Sequence, residues 1–245
     1  MSSVTSNAVI RRPRAFVRIA GPDACDYLQR MISNDVAALV PGESCDALLL
    51  TPKARVIAPL RVTRRAADDF LLSTEPELGD VLRTQLLRAR FAANAEIEPE
   101  QHEAWLVLDG HEVVDEQPPG EQLDDQAYER WRIEAGIPSW GREIDDRVLP
   151  AEAGLTETHV SFTKGCYPGQ EPIARQHHRG KLNRRLRILD VEGEVAADDE
   201  IEYKGRKVGR ITSAVPGVAL GYVRTEVPER AILRVGRATA RMRQQ

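Results

Sequence analysis

Lys164-Gly165-Cys166-Tyr167-Pro168-Gly169-Gln170-Glu171 is the stretch from which this chain is best read. Two glycines and a proline within five residues demand a tight, particular backbone, because glycine admits left-handed conformations and proline fixes φ. Cys166 stands in the middle, with Lys164 before it and His177 and His178 a little further on. Nearby positive charge lowers a thiol pKa and makes the sulfur a better nucleophile. The commonest fate of a free cysteine is inert packing, and Cys25 and Cys45, set in helix-like and strand-like patterns, are read that way. Cys166 is the candidate for chemistry. Lys164, His177 or His178 are its expected activators, Gly165 and Gly169 are expected to shape the loop, and Gln170 and Glu171 to hydrogen-bond it in place. Cys166, His177 and His178 match no zinc-ligand spacing, so no metal is assigned.

Downstream lies a basic run, Arg175, His177, His178, Arg179, Lys181, Arg184, Arg185 and Arg187. A solvated face is the plain reading. No aromatic residue interleaves the run, as stacking on bases would require. An arginine pair such as Arg184-Arg185, with Arg175 upstream, suits the carboxylate tail of a small anionic molecule better. After Asn183 apolar and alternating segments at 186–191, 200–203, 207–213, 219–223 and 232–235 read as a small all-β unit. The composition changes there, so the expected domains are 1–182 and 183–245.

Upstream, 147–181 has little periodicity and reads as a long functional loop. A helix capped by Asp124 runs through Tyr128 and Trp131 and stops at Gly136. Ala127, Trp131 and Glu134 share one helical stripe, and the tryptophan suggests that this stripe faces inward. A carboxylate there wants a partner: either an arginine, or a flat amidine-like edge such as the 2-amino-4-oxo ring of a pterin. The polar stretch 109–125 reads as a loop. Thr74-Glu75-Pro76-Glu77 reads as a capping box for a helix burying Leu78, Val81, Leu82 and Leu86. Strands are expected at 16–19, 46–51, 56–63, 70–73, 96–98 and 105–108, a helix after Gly21-Pro22-Asp23, and a frayed tail over 1–14.

The 245 residues, 42% apolar and 29% charged, describe an ordinary globular chain. Three scattered cysteines exclude a disulfide framework or a zinc ribbon and suit a reducing cytoplasm. A net charge of −4 and 5% aromatics argue against a nucleic-acid partner. No signal segment and no apolar run of the roughly 20 residues a membrane helix needs is visible. GxGxxG, P-loop, GxSxG and HExxH motifs are absent.

The segment 164–171, KGCYPGQE, resembles the signature of the YgfZ-type folate-binding proteins, relatives of the glycine cleavage T-protein, an aminomethyltransferase. RIEAGIPSWG at 132–141 resembles the family's R-x-E-x-G-x-P-x-x-G, and PAEAGL at 150–155 its P-x-E-x-G-L. Residues 21–28 resemble its G-x-D-A helix opening, 33–36 its N-D-V, and 207–213 and 219–223 its C-terminal G-x-x-T-S and A-L-x-x-V. The resemblance implies an α+β fold of T-protein type, with subdomains around a central channel and a C-terminal β-barrel-like domain. It implies tetrahydrofolate, or a one-carbon-substituted form, as cofactor. Glu134 would hold the pterin, and an arginine of Leu182-Asn183-Arg184-Arg185 the glutamate tail. It also implies iron–sulfur cluster assembly or repair, with Cys166 as functional thiol and iron–sulfur client or assembly proteins as partners. A folate-dependent aminomethyl- or methyltransferase is the alternative. T-proteins carry an aspartate pair on the second hairpin strand, where this chain has Ala58 and Pro59. Neither side chain can move a proton, so the T-protein reaction is not expected.

Overall fold

A computed structural model describes residues 8–244. Its contacts divide the chain into two compact units, one of residues 8–122 and 155–178, the other of 123–154 and 179–244.

The first unit holds two sheets. The larger is antiparallel, with order β3-β4-β5-β2-β6, from β2 (Ala15–Ala20), β3 (Ser44–Leu50), β4 (Val56–Ala66), β5 (Asp69–Thr74) and β6 (Glu96–Glu100). Strict alternation makes β4 a strand: its buried and half-buried residues alternate from Val56 to Thr63. Helices α1 (Ala24–Met31) and α2 (Gly79–Ala89) pack on this sheet through Tyr27, Leu28, Leu82 and Leu86. The smaller sheet, in order β8-β7-β1-β9, comprises β1 (Ala8–Arg11), β7 (Ala104–Val107), β8 (Glu112–Val114) and β9 (Glu121–Gln122). Phe16, Leu71, Ala104 and Val114 pack together from the two sheets.

In the second unit, helix α3 (Asp125–Glu134) accompanies a closed six-stranded barrel in order β10-β13-β12-β11-β14-β15. Its strands are β10 (Arg184–Glu192), β11 (Glu200–Tyr203), β12 (Arg206–Val215), β13 (Val218–Arg224), β14 (Ile232–Val235) and β15 (Ala238–Met242). Closure removes the sheet edges. Gly209 lets β12 approach β13: a Cβ there would lie 2.1 Å from the Tyr222 carbonyl oxygen. Asp124 caps α3 as its sequence suggests, accepting from the Ala127 N–H at 2.7 Å.

Several expectations are corrected. Ala8–Arg11 is not a frayed tail but an inner strand with Ala8, Val9 and Ile10 buried; residues 1–7 lie outside the described ones. Thr74 makes no capping box. Its hydroxyl donates to the Pro59 carbonyl at 2.7 Å, which ties β5 to β4 instead, and Val81 is exposed. The polar stretch 109–125 contains β8 and β9, and the supposed loop 147–181 contains α4 (Thr156–His159) and α5 (Gln170–Arg179). The sixth barrel strand, β15, follows β14 after a two-residue turn. The composition boundary at 183 adjoins the first barrel strand, whereas packing groups 123–154 with the barrel. Buried polar contacts from α3 and the 137–144 turn to β12 and β13 explain that grouping.

Candidate functional site

In the first unit the segment 164–171 joins α4 to α5, and it is pinned from both ends. Lys164 is 8% exposed, and its Nζ donates to the carbonyls of Ile32 and Asn34, each at 2.7 Å. Ile32 caps the C-terminus of α1, where unsatisfied carbonyls and the helix dipole favour a cation. Ser33 and Asn34 hold the same loop further upstream. The Ser33 hydroxyl donates to the His159 carbonyl at 2.6 Å, the Ser161 N–H donates to the Ser33 carbonyl at 3.0 Å, and the Asn34 amide donates to the Thr158 carbonyl at 3.2 Å.

At the far end Gly169 has φ +85°, and a Cβ there would lie 2.7 Å from the Thr51 carbonyl oxygen on the β3–β4 turn. Tyr167 is buried between these anchors, while Cys166 is exposed. The local chemistry is therefore an exposed thiol on a loop whose flanks are held by hydrogen bonds on one side and close backbone packing on the other.

Lys164 serves as an anchor, with its ammonium group sunk on two carbonyls. Burial pushes that amine down from 10.5 to about 8, against the opposing pull of Asp35 and Cys45. The unfolded chain holds this proton up to about pH 10.5 and the folded chain only to about 8. Between those limits the unfolded state binds more protons, so this group makes stability rise with pH. Urea unfolding of wild type and Lys164→Met at about pH 7.5 and 9.5 should move the difference in favour of wild type by on the order of 1–2 kcal/mol. An unchanged difference would show that the amine is not desolvated.

The other motif residues play different parts from those expected. A Cβ on Gly165 would meet nothing within 4 Å, so its lack of a side chain answers no crowding. Gln170 opens α5, its N–H donating to the Tyr167 carbonyl at 3.2 Å. Glu171 is exposed and pairs along its own helix with Arg175 at 2.8 Å, because both project from a solvated face. His177 stacks on Phe162, with ring centroids 4.2 Å apart. Burial pushes the Cys45 thiol up to about 11 and also raises that of Cys25, as suits packing residues. Among the described residues no group of three or more His, Cys, Asp or Glu could hold a metal ion.

In the second unit α3 buries Arg132 and Ile133, not the stripe of Trp131 and Glu134. Arg132 is 2% exposed and Glu143 1%. The Arg132 guanidinium donates to Glu129 (2.7 and 3.1 Å), to Glu143 (2.9 Å), to the Ile137 carbonyl (2.7 Å) and to the Ser213 hydroxyl (2.7 Å). Glu143 also accepts from Ser213 (2.7 Å) and the Ser139 N–H (3.0 Å). Burial works against the Arg132 charge, but Glu129 and Glu143 outweigh it and raise its pKa. Sequence reasoning missed this network, although the arginine of R-x-E-x-G and the serine of KVGRITS are both in it.

Turning Arg132 inward turns Glu134 outward. Glu134 is exposed and accepts on Oε1 from Arg130, one helical turn away, at 3.2 Å. The arginine pairing foreseen as the plain alternative is thus present.

Arg184 pairs with Glu152 at 3.0 Å and lies 4.6 Å from the Tyr222 ring centre. With Arg142, Arg147 and Arg210 it lines a pocket of about 290 Å³. Each of these guanidiniums already holds a carboxylate, so the charges largely cancel. Arg185, the next residue on β10, is exposed. Ala58 is fully buried on β4, and the Pro59 carbonyl is occupied by Thr74.

Residues 183–245 match the C-terminal β-barrel domain of CAF17. The chain is 27% identical to the mouse mitochondrial iron-sulfur cluster assembly factor IBA57, over 87% of this chain and 76% of that one. It is 26% identical to an uncharacterized protein of Haemophilus influenzae, over 81% of each. An aminomethyltransferase of Synechocystis is 24% identical over 89% of this chain and 52% of its own. The crystal structure of the glycine cleavage system aminomethyltransferase T from Bartonella henselae superposes with a TM-score of 0.84, covering 97% of this chain and 85% of that one at 18% identity. The chain thus has the fold of the aminomethyltransferase T structure over nearly its whole length, and its residues from 183 onward are similar to the CAF17 C-terminal β-barrel domain.

Proposed function

We propose that this chain is a cytoplasmic, tetrahydrofolate-binding factor for iron–sulfur cluster assembly or repair, with Cys166 as its functional thiol. One observation carries the reading: the Cys166 thiol is exposed on a loop anchored through buried Lys164 and close-packed Gly169. A thiol that only filled space would be buried. Holding the flanks rigid presents the sulfur to a partner with little entropy left to lose. The mouse and human relatives named as iron–sulfur cluster assembly factors support the process, and the fold shared with aminomethyltransferases supports the ligand. Glu134 would hold the pterin, and Arg184 or Arg185 the carboxylate tail. Bound tetrahydrofolate would supply a one-carbon carrier. Iron–sulfur client or assembly proteins are the expected partners.

The transferase alternative finds no support at β4. Buried Ala58 and half-buried Pro59 offer neither a base nor an electrostatic partner for a reacting amine. Replacing Cys166 with Ala in a strain that depends on this gene should lower the activities of its iron–sulfur enzymes while the variant accumulates to normal levels. Undiminished activities would remove the thiol role.

A further inference from the structure

His102 lies in the link between β6, an edge of the larger sheet, and β7 of the smaller one. Its Nε2 is 2.8 Å from Glu100 Oε2 at the end of β6. Its Nδ1 is 2.6 Å from Asp115 Oδ2, just after edge strand β8. Ionised carboxylates only accept hydrogen bonds, so this geometry needs a proton on both ring nitrogens. A neutral ring would turn a lone pair toward a carboxylate at contact distance.

We propose that His102 is a proton-operated latch across the seam between the two sheets of the first unit, closed as imidazolium and opened on its Asp115 side when the proton leaves. The surroundings decide which side opens. Glu100 is also held by Arg65 at 2.8 Å, with Arg18 at 3.7 Å. These arginines share Asp69, at 2.9 and 2.7 Å. The Phe16 ring meets the imidazole edge-on at 5.1 Å. Glu100 therefore keeps its cations when His102 is neutral. Asp115 has His102 as its ion-pair partner and otherwise accepts the Glu103 N–H on Oδ1 at 3.0 Å. Burial opposes the charge on His102, but the two carboxylates outweigh it and raise its pKa above 6.5. A separate tie, Glu112 to Arg14 and to the Ser73 hydroxyl, contains no histidine, so the opening stays local to the end of β8.

The test is a proton NMR titration of the five histidines in the full chain. The His102 signal is assigned by its loss in His102→Gln, and amide exchange is followed in parallel. The His102 midpoint should lie above 6.5. Exchange at Glu103 and Asp115, referred to intrinsic rates, should accelerate about tenfold across it, the equivalent of one charge-assisted hydrogen bond. Asp115→Asn guards against simple unfolding, since Asp115 has φ +62° and asparagine tolerates that region. It should lower the midpoint and abolish the step. A midpoint at or below 6.5, no exchange step, or a midpoint unmoved in Asp115→Asn would each overturn the latch.

Discussion

Arg132→Met should destabilise the protein by about 3–5 kcal/mol, the usual consequence of removing one member of a buried ion pair. The methionine fills much of the space, so the loss is not mainly a cavity. It comes from leaving Glu143, 1% exposed, with a full charge and only Ser213 and the Ser139 N–H as donors. The Ile137 carbonyl loses its 2.7 Å bond from Arg132 as well. Adding Glu143→Gln removes the stranded charge while keeping an acceptor, and should return on the order of 1–2 kcal/mol. Urea unfolding of both variants checks this. A loss below about 1 kcal/mol for Arg132→Met, or a double variant weaker than the single, would mean that the network does not carry the charge balance described.

Gly169→Ala should cost about 2–4 kcal/mol. Two penalties coincide there. The backbone is left-handed at φ +85°, and the new Cβ would sit 2.7 Å from the Thr51 carbonyl and 3.2 Å from Ala54 Cα, both backbone atoms. Relief requires the loop to lift from the β3–β4 turn, and Cys166 would move with it. Gly165→Ala, four residues earlier in open space, should change stability by no more than about 0.5 kcal/mol. Thermal melts of the pair, with loop cleavage by a protease, separate the two outcomes. Equal behaviour would mean that Gly169 is not the seat of the constraint.

The barrel was largely legible because each strand must show one face to a closed core. Ile201, Ile211, Leu220 and Leu233 are accordingly almost wholly buried. β1 was not legible. Four residues beside a run of arginines carry too little pattern, and its burial comes from pairing with β7 nearly a hundred residues later. α5 was hidden for a similar reason: Ile173 is almost its only buried residue, so no apolar stripe announces a helix.

The site was legible as motifs but not as geometry. Trp131 suggested the wrong inward stripe, because an aromatic usually marks the core and an arginine does not. Only a carboxylate network makes Arg132 the buried residue, and Glu143 lies eleven positions away on a turn. Lys164 likewise reads as an activator when only its neighbours in sequence are seen. Its actual partners, Ile32 and Asn34, are about 130 residues distant.

Calorimetric titration with tetrahydrofolate, on wild type and on Glu134→Ala, tests the proposed function most directly. Glu134 is exposed and lies outside the buried network, so its loss should leave the fold intact. Wild type should bind saturably, and Glu134→Ala should bind at least about tenfold more weakly, the loss of one two-pronged charge-assisted contact. Absence of binding by wild type, or equal affinity in the two proteins, would contradict the account.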